Sequence, residues 1–289
     1  MLTTPADIAA AAQLACLLEA SAPKPGNVSP GRHFEDLRYE DFLASASAIG
    51  APLARAGDRA LGVTILDAIQ STARWTRTNS NLGIVLLLAP LARAAIGGPN
   101  RLRETLIDVL AATTVDDARN VYAAIRLASP GGLGDAESQD VAGEPEVPLL
   151  ETMKLASGWD GIAREYATGF TTTFDTAVPM LVRARSEGLS WSDAVVETFL
   201  GLLAAAPDTH IARRSGLDRA REVTAGAVRV AEAGGVRTVE GRLAIQSMDE
   251  DLRDSTHSAN PGTTADLIAA AIFVVLVQDG WKAADRIRS

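Results

Sequence analysis

Apolar residues recur every three to four positions over long stretches rich in Ala and Leu, and alternating runs are nearly absent. That spacing predicts an all-α fold, a multi-helix globular domain. A first helix is expected from Thr4 and Pro5 to Ala20, with Thr4 as N-cap and Pro5 in the first turn. Further helices are expected over 39–56, 61–74, 82–95, 101–112 and 115–127. Thr113 or Thr114 caps the last of these, with Asp116 and Asp117 in its first turn. Residues 129–147, SPGGLGDAESQDVAGEPEV, break the pattern and read as a domain linker or a functional loop. Helical spacing resumes over 148–156, 160–170, 171–187, 191–206, 217–233, 241–254 and 264–277. Polar motifs are scattered along the whole chain, and only one convergent site at inter-helix loops and helix termini would use them all. One domain over 1–289 is therefore expected.

Composition narrows the chemistry. Cys16 is the only cysteine of 289 residues, which excludes an intramolecular disulfide, a thiolate zinc site and an iron–sulfur cluster. A net charge of −9 argues against nucleic acid or an anionic membrane as partner. The most apolar run, Leu267–Val277, is shorter than the roughly 20 residues a membrane span needs, so it reads as a core helix. No basic N-terminal region is visible, and a cytoplasmic location is expected. Of 27 basic residues only Lys24, Lys154 and Lys282 are lysine, which draws attention to each.

Five polar segments punctuate the helices. In SAPKPGNVSP, Pro23 and Pro25 hold Lys24 on a non-helical loop, and Gly26 permits close backbone approach. Lys24 there is either a phosphate or carboxylate contact, or a solvated lysine on a turn. TRTNSNLG places Asn79 and Asn81 before an apolar helix, as ligand amides at an anion-binding helix end or as plain N-capping by Ser80 or Asn81. PDTHIARRSG reads as a loop joining Asp208 to Arg213 and Arg214, suited to a magnesium-bound phosphate or to a local salt bridge. His210 lies between them. NPGTTAD offers Thr263 or Thr264 as N-cap and Asp266 in the first turn. The acidic loop contributes Asp135, Glu137 and Asp140, and Asp249–Asp254 reads as an exposed helical face. No phosphate-binding G-x-x-x-x-G-K-[ST] loop, dinucleotide fingerprint or G-x-S-x-G elbow is present.

In this order, PKPGNVSPGRHFEDL, NSNLGIVLLLAPLA, REYATGF, DTHIARRSG and NPGTTAD resemble the triphosphoribosyl-dephospho-CoA synthase family. The resemblance implies an all-helical cytoplasmic transferase that uses ATP and Mg²⁺. Such enzymes displace adenine from the ribose C1 and attach the triphosphoribosyl group to dephospho-CoA. The chain departs from the family at several points. N-T-H-K-G becomes NSNLG, so Asn81 replaces histidine and Leu82 replaces lysine. GRHFEDL carries one extra residue, which leaves Glu35 or Asp36 for the aspartate role. The motif arginine matches Arg214. The form TNxNLGIxLLLAPLA is similar to a divergent branch of methanogens and methanopterin-using bacteria, which implies a related transfer in coenzyme biosynthesis.

The resemblance assigns catalytic duty to Asp36, Asp208 and Asp266, with Mg²⁺ on Asp36 and Asp208. It assigns ligand binding to Lys24, Asn27, Asn79, Asn81, Arg214 and Asn260. The partners it implies are a nucleotide-like donor and a coenzyme-precursor acceptor, and a homodimer is compatible with it. Two other readings stand beside it: a hydrolase resembling the helical ADP-ribosylglycohydrolases, and a non-catalytic nucleotide-binding helical protein.

Overall fold

A computed structural model describes residues 4–129, 138–253 and 258–281. Fifteen α-helices occupy them: α1 (Pro5–Ser21), α2 (Tyr39–Ala48), α3 (Gly50–Ala54), α4 (Leu61–Thr72), α5 (Leu82–Ile96), α6 (Leu102–Ala111), α7 (Val115–Ala128), α8 (Leu149–Ala156), α9 (Gly161–Thr168), α10 (Val178–Ser186), α11 (Trp191–Ala205), α12 (Thr209–Ser215), α13 (Leu217–Glu232), α14 (Val239–Asp251) and α15 (Gly262–Gln278). Among the described residues there is no β-strand, only an isolated bridge between Ser29 and Arg32. No helix among them is long and apolar enough to cross a membrane.

The centre is a pair of helices, α5 and α15, packed on each other and on α1. Both are apolar along most of their length, as a helix surrounded by others must be. Every residue from Leu267 to Val277 is buried, so the most apolar run is a core helix, as expected. Helices α4, α6 and α7 cover the α5 side, and α10, α11, α13 and α14 build outward from the α15 side. One apolar cluster runs through the assembly from Ile8 to Val277.

Local chemistry sets the helix ends. Thr4 caps α1 in a reciprocal pair with Asp7, and Pro5 follows at the first position. Thr114, not Thr113, caps α7 with Asp117, while the Thr113 hydroxyl accepts from the Leu150 N–H at 3.1 Å. The helix expected over 39–56 is two helices, because Pro52 has no N–H to give Ala48. Residues 171–187 open with a wide π turn, Thr173–Ala177, before α10.

Three expectations are corrected. The segment after Asp208 is a helix, α12, with Asp208 as N-cap, and not a loop. Neither Thr263 nor Thr264 is the cap of α15, which starts at Gly262 after Pro261. Asp249 is buried instead of lying on an exposed face. Asp254, His257 and Lys282, with Asp135 and Glu137, lie outside the described residues.

Candidate functional site

The N-terminal ends of α5, α12 and α15 open on one cavity of about 1200 Å³. The end of α1, the loop after it, α7, α8 and residues 138–142 complete its wall. Seven of the nine expected site residues line it: Asn27, Asp36, Asn79, Asn81, Arg214, Asn260 and Asp266. Lys24 and Asp208 do not.

The reason lies in what each already binds. Lys24 is buried at 1 % exposure, and its ammonium sits 2.9 Å from Glu19 Oε1. It also donates to the Glu19 and Ala22 carbonyls. An ammonium has three N–H groups, so none is left for a phosphate. Asp208 is equally committed. Its Oδ1 accepts from the His210 and Ile211 N–H groups at 2.8 and 3.1 Å. Its Oδ2 accepts from the Thr264 N–H and hydroxyl, both at 2.7 Å. Asp208 thus ties α12 to α15 and has no oxygen free for a metal or for the reaction.

The loop carrying Asn27 is fixed from the far end of the chain. Gly26, at φ +74°, donates its N–H to Asp249 Oδ1 at 2.8 Å. A Cβ there would meet Leu252 at 3.0 Å, so glycine suits both the backbone and the space. Arg253 donates to the Asn27 carbonyl at 2.6 Å and lies over the Phe34 ring. The second motif is also partly structural. Asn79 Oδ1 accepts from the Leu82 N–H at 3.0 Å and so caps α5, while Asn81 donates to Thr72 Oγ1 at 3.0 Å. On the opposite wall, Tyr122 and Arg126 of α7 donate to the carbonyls of Gln139 and Val141 and hold Asp140 at the cavity edge.

Asp266 is the exceptional carboxyl. It is half-buried at the cavity wall, and no described donor hydrogen-bonds or ion-pairs with it. It packs so tightly on α5 that a Cβ on Gly83 would stand 2.0 Å from its Oδ2. Burial, then the charges of Glu19 and Asp208, raises its pKa well above the usual carboxylate range. It therefore keeps a proton where other aspartates have lost theirs. His210 lines the same cavity with Nδ1 2.9 Å from the Asn260 carbonyl. Burial lowers its pKa, so the ring is neutral, Nδ1–H donates, and Nε2 is the remaining acceptor. Two buried polar atoms beside it have no partner among the described residues, Arg213 Nε and Asn260 Oδ1. Arg213 itself is held by Asp160, the N-cap of α9.

Sequence reasoning left Glu19 and Asp160 out of the site, and weighed Arg213 and His210 without assigning them to it. Glu19 carried a signal, since an acid near the C-terminal end of a mostly apolar helix with no basic residue must find a partner when buried. Glu165 of REYATGF, by contrast, is wholly internal. It accepts from Thr172 and Thr173 and braces the π turn.

The sequence matches the model of the ATP:dephospho-CoA triphosphoribosyl transferase family over residues 5–285. The chain belongs to this family. Among curated relatives, it is 28% identical over 240 residues to the 2-(5''-triphosphoribosyl)-3'-dephosphocoenzyme-A synthase of Pectobacterium atrosepticum, covering 82% of this chain and 70% of that one. It is 35% identical over 113 residues to a candidate synthase of the same description from Pseudomonas syringae pv. tomato. That alignment covers 39% of this chain and spans only 38% of the relative's length. A solved structure from Archaeoglobus fulgidus, described as a candidate triphosphoribosyl-dephospho-CoA synthase, superposes with a TM-score of 0.66 at 30% identity. It covers 83% of this chain and 99% of that one. Its likeness extends the family assignment from sequence to fold.

Proposed function

We propose that this family member is a transferase of the triphosphoribosyl-dephospho-CoA synthase type, acting in coenzyme biosynthesis. The observation that carries the reading is the meeting of motif residues from both ends of the chain in one cavity around Asp266. In the reaction, the ribose C1–N bond breaks as positive charge develops at C1, and an acceptor hydroxyl takes the place of adenine. Asp266, still protonated, is suited to give its proton to the departing base. Neutral His210 is suited to take the hydroxyl proton at Nε2. Glu19, ion-paired with Lys24, lines the cavity, where a carboxylate favours the cationic centre. Arg214 and the N-terminal ends of α5 and α15 offer positive potential to phosphates. Asn260 Oδ1 is an acceptor awaiting a ligand hydroxyl.

Magnesium suits a phosphorylated donor, but the chain does not form a cage for it. Among the described residues no three His, Cys, Asp or Glu cluster to hold a metal. Mg²⁺ commonly takes one or two carboxylates and completes its shell with phosphate oxygens and water. Asp36 at the cavity wall fits that arrangement, whereas Asp208 does not. Bound there, the ion would neutralise phosphate charge.

Two finer readings follow. Leu82 brings no charge, and Lys24 has none to spare, so a donor with fewer phosphates than ATP is accommodated more readily. The form of the second motif favours a place in one-carbon carrier biosynthesis of the methanopterin or methanofuran type. The test is chromatographic. Purified protein with Mg²⁺, dephospho-CoA and ATP, ADP or AMP should release adenine only when the acceptor is present. Base release without acceptor makes the protein a hydrolase. No release from any donor, with no calorimetric binding, makes it non-catalytic.

A further inference from the structure

The cavity wall made by residues 26–37 stands apart from the rest of the protein. Its buried side chains Val28, Phe34 and Leu37 form an apolar cluster of their own, separate from the main core, and all three line the cavity. Two backbone bonds between Ser29 and Arg32, at 2.8 and 2.9 Å, fold the segment on itself. So does the bond from the Phe34 N–H to the Leu37 carbonyl at 3.0 Å. A unit that shares no core with its support is placed by the polar ties that reach it. Two residues at the end of α14 supply such ties from behind. Asp249 Oδ1 accepts from the Gly26 N–H at 2.8 Å, and its Oδ2 lies 3.4 Å from Arg32 Nε. Arg253 grips the same carboxylate with Nε and Nη2, at 3.0 and 2.9 Å. Its Nη2 also donates to the Asn27 carbonyl at 2.6 Å, and its guanidinium lies 5.4 Å from the centre of the Phe34 ring. A two-pronged charged contact of this kind fixes direction as well as distance. At the other end of the wall, Thr78 donates to the Asp36 carbonyl at 3.1 Å.

We propose that Asp249 and Arg253 are positioning residues for the site. They hold in place the wall that presents Asn27, Phe34 and Asp36 to the ligand, and so set ligand affinity without lining the cavity themselves. With the ties cut, the wall samples positions in which the cavity does not fit its ligand. If it stands in place about a tenth of the time, apparent affinity falls about tenfold. The main core, which does not include this cluster, keeps its packing. The inference rests on the proposed function for the ligand it names, and not for the placing of the wall.

The experiment reads the wall and the ligand separately. Spin labels at His33→Cys, on the wall, and Trp159→Cys, between α8 and α9 at the cavity, report the distance between them, and buried Cys16 stays unlabelled. Arg253→Met keeps an unbranched side chain and removes the charged ties. In that variant a second, longer distance should appear, and calorimetric affinity for MgATP should fall about tenfold or more. Arg253→Lys can still donate to the Asn27 carbonyl and pair with Asp249, so it should keep the original distance and an affinity within about threefold. A residue that only stabilised the fold would lower the unfolding midpoint without moving either readout. Asp249→Asn keeps an acceptor for Gly26 but loses the charge that holds Arg253. It serves if Arg253→Met does not fold, and should move both readouts in the same direction. A single unchanged distance in both variants, or an unchanged affinity where the wall has moved, overturns the proposal. Because the distance is read without ligand, a protein that releases no adenine refutes the proposed function and leaves this inference standing on the label distance.

Discussion

Replacing Asp208 by alanine separates a structural aspartate from a catalytic one. Its carboxylate accepts four hydrogen bonds, two from the first turn of α12 and two from Thr264 of α15. At a net value of about 1 kcal/mol each, their loss destabilises the protein by about 4 kcal/mol. The donors left behind are mostly buried, so water does not readily replace the oxygen. A chain of this size loses roughly 1.5–2 °C in Tm per kcal/mol, so the midpoint should fall by roughly 6–8 °C. Asp208→Asn, which keeps one acceptor oxygen and turns an amide toward the remaining donors, should lose about half as much. Urea unfolding followed by circular dichroism gives the stability, and turnover of the folded fraction at low temperature gives the catalytic effect. If Asp208→Ala loses under about 1 kcal/mol while turnover of the folded protein falls a hundredfold, Asp208 is a reacting group and the reasoning fails.

Gly83→Ala should cut turnover at least tenfold, the equivalent of about 1.4 kcal/mol, because its Cβ would occupy the place of the Asp266 carboxyl. Its unfolding midpoint should barely move, since the displaced group can turn into the cavity, and a fully active variant would show that Asp266 is not held there. Lys24→Ala should destabilise the protein by about 3–5 kcal/mol through the unpaired Glu19, whereas Lys154→Ala, which removes only a pair on the surface, should change stability by under about 1 kcal/mol. Equal unfolding midpoints for the two variants would contradict the buried pair. Asp266→Asn should inactivate the enzyme yet stabilise it at neutral pH. Folded Asp266 binds its proton more tightly than the unfolded residue, whose pKa is 3.8, so its contribution to stability declines as pH rises from there through its raised value. Thermal unfolding of both proteins at acidic and neutral pH should therefore diverge toward neutral pH, and parallel curves would refute the protonated state.

Much of this architecture is written in short-range pattern. Helices α1 and α7 are legible because their apolar spacing and caps agree, and α5, α11 and α15 are legible from their apolar runs alone. What the pattern hides is long-range pairing. Asp249 looks like one acid in an exposed charged run, yet it is buried against the N–H of Gly26, 223 residues away. Helix α12 escapes because seven residues are too few for periodicity to register and its cap, Asp208, looks like chemistry. Lys24 misleads for a related reason. Scarcity and a proline-flanked loop mark it out, but its partner sits five residues earlier on a different element, so sequence alone cannot tell a buried counter-ion from a ligand contact. The amides and Asp266 are legible as a group because polar residues cluster where chains enter helices, and the helix ends converge.

The clasp between the Asn27 loop and the end of α14 also governs the order in which the molecule can be built. Gly26 meets Asp249, and the Asn27 carbonyl meets Arg253, across more than two hundred intervening residues. Closing so long a loop loses chain entropy that only a well-packed core returns. The first helix, α1, packs against the last, α15. During synthesis the N-terminal third must therefore wait, its apolar faces uncovered, until the C-terminal helices emerge. Such a waiting period calls for slow, late consolidation and invites chaperone help. It also means that the cavity is the last part of the protein to exist: a nascent chain stopped before α15 has helices but no place for a ligand.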